Sequence, residues 1–158
     1  MPRRRPGALR AARDLQPHRI ATWVREIPPI DRLSRETSAA VRHAEVTHPG
    51  YHVRSGSAEA NLHRYRAFLR LPGRKLRPTR SECPACPGCQ YDDIAHVRDA
   101  LQDVLMILPL PARVEFRRLL DALDSRFRSR TLPDPWLPDT DWLGEPLPWW
   151  HRRVYQGR

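Results

Sequence analysis

The sequence predicts a mainly α protein: a small helical domain with a C-terminal helical hairpin, a cysteine-rich knuckle and Pro/Trp-rich irregular tails. Three observations carry that reading. Apolar residues recur at three- and four-residue spacing in two stretches of the C-terminal half, the period of a helix with one buried face. All three cysteines fall within seven positions, from Cys83 to Cys89. The 17 prolines, about twice the usual share, concentrate at 72–89 and 109–148 and exclude long regular elements there. At 158 residues the chain suits one domain with tails. Its expected parts are a basic, flexible N-terminal segment (1–30), a helical domain (31–130) with the knuckle at 83–96, and a C-terminal strap (131–158).

Taken in order, residues 17–26 offer Ile20, Trp23 and Val24 for a short helical turn ahead of "IPP". A helix is expected over Asp31 to Val46, with Leu33, Thr37, Ala40, Val41 and Ala44 facing inward. A third covers 57–71, where Ser57 can cap and Ala58, Leu62, Tyr65 and Leu69 form one stripe. Next, Asp92 or Asp93 can cap a helix whose stripe is Ile94, Val97, Leu101, Val104, Leu105 and Leu108, ended by Pro109. Pro111 suits a first helical position, and Val114 or Phe116, Leu119, Leu120, Leu123 and Phe127 mark the last stripe. Helices joined by "PLP" should run roughly antiparallel, packing on each other and on a further element.

The net charge is +10, and 27 of the 28 cationic residues are arginine, with Lys75 the one lysine. Guanidinium stays charged and forks onto phosphate or carboxylate, so a polyanionic partner is expected. Residues 42–80 hold nine cations against Glu45 and Glu59, which makes this block the expected basic face. Arg64, Arg66, Arg70, Arg74, Lys75, Arg77 and Arg80 cluster there, the last four in "PGRKLRPTR", which reads as an extended arm for DNA or RNA phosphates. A solvated basic loop is the plain alternative. No apolar run approaches the roughly 18 residues of a membrane span, and the basic start lacks the apolar segment of a secretory signal, so a cytoplasmic location is expected.

An odd cysteine count at tight spacing fits a metal or thiol site in a reducing compartment rather than a disulfide framework. The leading expectation is a structural zinc on Cys83, Cys86 and Cys89, completed by His96 one helical turn into the following helix. His43, His48, His52 and His63 are alternative fourth ligands. Cys86-Pro87-Gly88-Cys89 also resembles the glutaredoxin-type Cys-Pro-x-Cys, which implies thiol redox chemistry. The family sets that motif after a buried strand, whereas a basic loop precedes it here. An iron–sulfur cluster is a third reading and lacks its fourth cysteine. His43-Ala44-Glu45 with Cys83-x-x-Cys86 is similar to the zinc-deaminase pattern, but Glu82 stands where that pattern has proline. No phosphate loop, nucleophile elbow or His-Glu-x-x-His occurs, so an enzyme is the less favoured class.

After Arg130, Trp136, Trp142, Trp149 and Trp150 alternate with prolines. The expected role is a strap laying tryptophans over the core, with a partner-docking peptide as the competing one. The segments "LPLPARVEFRRLLDALDSRF", "RTLPDP" and "PWWHRR", with the short cysteine cluster, resemble small arginine-rich proteins of streptomycetes and their plasmids or integrated elements. That resemblance covers the C-terminal half, implies an accessory role on a mobile element and assigns no site residue.

Overall fold

The structure, a computed structural model, describes residues 20, 22–81, 83, 86–141 and 143–157. Most of the expected basic N-terminal segment, residues 1–19, therefore lies outside the described residues, as does Trp142. The described residues form six helices and no strand: α1 (Thr22–Glu26), α2 (Arg35–Thr47), α3 (Ser57–Arg70), α4 (Pro87–Gln90), α5 (Ile94–Ile107) and α6 (Leu110–Arg130). The chain is mainly α, as its periodicity predicts. No helix among the described residues is long and apolar enough to cross a membrane.

Two helices, α2 and α5, start where a local side chain satisfies a free N–H group. Ser34 caps α2, its hydroxyl accepting from Thr37 N–H at 3.1 Å, and Asp93 caps α5 through Ala95 N–H at 3.0 Å. The start of α3 departs from the expectation that Ser57 caps it. Gly56 is the N-cap, at φ +79°, a left-handed conformation that costs glycine little. The cap itself is remote: the Glu45 carboxylate, at the end of α2, accepts from Gly56 N–H (2.8 Å), Ala58 N–H (2.7 Å) and the Ser57 hydroxyl (3.2 Å). At the other end of α5, the Arg113 guanidinium covers the carbonyls of Met106 and Leu108.

The predicted stripes are the core. Val41, Leu62, Tyr65, Leu69, Leu101, Val104, Phe116, Leu120, Leu123 and Phe127 are all essentially excluded from solvent. Val114 is the exception and faces water, leaving Phe116 to fill that turn of α6. The most extensive helix contact is between α3 and α5, with α6 laid mainly against α2. The two C-terminal helices therefore bury their faces more on α3 and α2 than on each other.

A buried ion pair joins α5 and α6 inside this body. Arg98 of α5 grips Asp124 of α6 in a fork, Nε to Oδ1 at 3.0 Å and Nη2 to Oδ2 at 3.0 Å, and the Tyr65 hydroxyl donates to the same carboxylate at 2.8 Å. All three residues are buried, so each satisfies the others' polar atoms where water cannot. Residues 131–141 and 143–157 then return across the helices without regular structure. Backbone bonds from Asp134 N–H to Arg152 O, Val154 N–H to Leu132 O and Gln156 N–H to Pro78 O fix their course.

Candidate functional site

Three neighbouring regions hold the residues with chemical potential: the cysteine loop, a histidine–aspartate node under the strap, and the basic end of α3 and α6. The cysteine loop is held at its start by Asp93, whose second oxygen accepts from Ser81 N–H at 3.0 Å. One carboxylate thus ties the loop to the helix it caps. None of the three described cysteines is in a disulfide; Cys83 and Cys89 are exposed and Cys86 is half-buried. Cys86 N–H donates to Cys83 O at 3.2 Å. The Cys86 thiol pKa is lowered, first by the backbone N–H of Cys89 and then by the Cys89 thiol, the Gly88 N–H and the Cys83 thiol. Among the described residues, no group of three or more His, Cys, Asp or Glu side chains is arranged to hold a metal ion.

His96, the expected fourth ligand, is directed elsewhere. Its Nδ1 lies 3.6 Å from Asp99 Oδ2 and its Nε2 4.0 Å from Asp93 Oδ2, and its ring meets that of His151 edge-on at 5.7 Å. Asp99 is the centre of this node. It accepts from Trp150 Nε1–H at 2.7 Å and pairs with His151 Nε2 at 2.7 Å. Burial pushes the Asp99 pKa up, but the hydrogen bonds from His151, His96 and Trp150 more than offset it and hold the carboxyl well below the usual range. The Asp99 hydrogen bond raises the His96 pKa against the opposing effect of burial. Asp99 and His151 escaped the sequence reading because their pairing spans 52 residues.

The predicted phosphate arm is not free chain. Leu76 forms a parallel bridge with Thr131, and the Arg130 guanidinium gathers the carbonyls of Leu69, Leu71 and Gly73. Lys75 Nζ donates to Ser129 O at 2.8 Å. The ends of α3 and α6 and the loop between 71 and 76 therefore form one pole, with Arg70 and Arg74 exposed on it. The other predicted cations are partly engaged. Arg64 stacks on Tyr91 (4.2 Å) and donates to Asn61, Arg66 pairs with Asp31 at 3.1 Å, and Arg80 lies over Tyr155 at 4.7 Å. Arg77 is exposed at the edge of the pole.

The strap divides its tryptophans. Trp149 and Trp150 are half-buried against the core, Trp149 on Phe127 and under Arg128, Trp150 under Arg98. Trp136 remains 88% exposed. Glu45, the general acid/base of the deaminase-like pattern, is buried and its oxygens are occupied by the α3 cap. No protein-family model matches this chain, and neither a curated protein nor a solved structure is significantly similar to it.

Proposed function

We propose that the protein is a non-enzymatic nucleic-acid-binding accessory protein whose contact surface is the pole where α3 and α6 end. The supporting observation is the gathering of cations around Arg130. Residues 71–80 carry four cationic side chains and no carboxylate, and the last turns of α3 and α6 add Arg70, Arg128 and Arg130. Backbone and guanidinium bonds hold this loop in place, so binding a phosphate backbone there costs little ordering entropy. Fluorescence anisotropy with a labelled duplex across a salt series tests it. Log K is expected to fall linearly with log salt, by about 0.9 per phosphate neutralised, and Arg70→Ala with Arg74→Ala to reduce that slope by about 2. Absence of binding at the lowest salt would overturn the reading and direct attention to exposed Trp136 as a protein-docking residue.

A structural zinc on Cys83, Cys86 and Cys89, with His96 as the fourth ligand, is part of the same proposal. The convergence of two N–H groups and two thiols on Cys86 favours it, since such a setting stabilises the thiolate that zinc requires. The loop would tighten around the ion, and His96 would exchange Asp99 for it. Elemental analysis of protein purified under reducing conditions should find close to one zinc per chain, lost in Cys86→Ser. Iron with brown colour, or no metal at all, would refute zinc.

A further inference from the structure

Away from the basic pole, a groove of about 280 Å³ opens between the 51–57 loop, α3 and the start of α5. Its lining contains Arg54 and Arg64, His52 and His96, Tyr51 and Tyr91, and no carboxylate. Two tyrosines this exposed, 57% for Tyr51 and 50% for Tyr91, would ordinarily be free to swing. Here both are held. The Tyr51 hydroxyl donates to Gln90 Oε1 at 3.2 Å, and its ring meets His52 edge-on at 4.8 Å while His52 Nδ1 pairs with Asp103 at 2.8 Å. Tyr91 is backed by the Arg64 guanidinium, itself anchored on Asn61. Fixed aromatic surface beside guanidinium groups, in a hollow smaller than a drug-sized site, suits one flat ring system bearing an anionic group.

We infer that this groove is a nucleotide subsite, in which a base stacks on the Tyr51/Tyr91 wall and its phosphate meets Arg54 and Arg64. The inference deepens the nucleic-acid reading above and rests on it for the case in which the nucleotide belongs to a strand. The first turn of α3 borders the groove, but Glu45 already occupies its N–H groups, so the arginines and not the helix end supply the phosphate contacts. Stacking requires an unpaired base. The subsite therefore distinguishes single strands from duplex, which the basic pole alone does not.

The full-length chain is titrated against a labelled single-stranded oligonucleotide, the duplex of the same sequence, and adenosine monophosphate. Tyr51→Ala and Tyr91→Ala are each expected to weaken single-strand binding about tenfold and leave duplex binding unchanged, with Tyr91→Phe retaining the parent affinity. Arg74→Ala should weaken both strands alike. If the monophosphate binds as tightly as the oligonucleotide and loses affinity in Tyr91→Ala, the ligand is a free nucleotide. If the parent binds the monophosphate but no strand, the nucleic-acid reading fails and the groove stands. Unchanged affinity for single strand and monophosphate in both alanine variants, with parental circular dichroism, overturns the subsite.

Discussion

Asp99 joins three side chains that are distant in sequence, and its charge state governs how firmly the strap is held. Because its carboxyl pKa is lower in the folded chain than the ~3.9 of an unfolded aspartate, its contribution to stability is in place above that pH and is lost as pH falls toward the folded value. His96 titrates in the opposite sense. Its pKa is raised, so its contribution is complete below about 6.5 and drains away as pH rises through the folded value. Stability is therefore expected to peak between about pH 4 and 6.5 for this node. Asp99→Asn should lower the melting temperature at pH 5.5 by about 3 °C and flatten the profile on both sides. A variant whose thermal melts trace the parental pH profile would refute the assignment. None of this was legible in the sequence, because Trp150 and His151 lie 51 and 52 residues from Asp99. The Arg98–Asp124 fork was hidden for the same reason, since both sit beside apolar stripe residues and their pairing depends on how α5 meets α6.

At the scale of elements, the start and stop signals were largely readable because they are local. Asp93 and Pro109 act within a turn of the helix end they define, whereas α2 begins at Arg35 behind its Ser34 cap and not at the expected Asp31. The α3 cap was not, because its carboxylate comes from α2. Removing it leaves the Gly56 N–H and the buried Ala58 N–H without their acceptor, so Glu45→Ala is expected to destabilise the fold by about 2 kcal/mol. Urea denaturation checks this, and an unchanged midpoint would mean that water or a neighbouring group replaces the carboxylate. A second long-range clamp works in the same way. Glu115, in the second turn of α6, accepts from Ser34 N–H at 2.6 Å, from the Ser34 hydroxyl at 2.7 Å and from the Thr37 hydroxyl. The α2–α6 contact is thus fixed by polar bonds as well as by apolar packing.

At the scale of the described molecule, cations of the 42–80 block meet the end of α6 at one pole, and two strap tryptophans lie on the core. Net charge, helical period and the cysteine spacing are properties of composition and short-range order, and the sequence by itself determined the helical class, the buried stripes and the concentration of cations in 42–80. It also marked the tryptophans as strap residues, and Trp149 and Trp150 lie on the core while Trp136 does not. Only the tertiary structure decided that the predicted arm is bridged to the end of α6, that His96 faces Asp99 and His151, and that Tyr51 and Tyr91 share a groove with Arg54 and Arg64. The physical reason is range. A helix stripe or a cap is set by residues within about one turn, whereas these contacts join side chains whose separation is fixed by the packing of several helices at once.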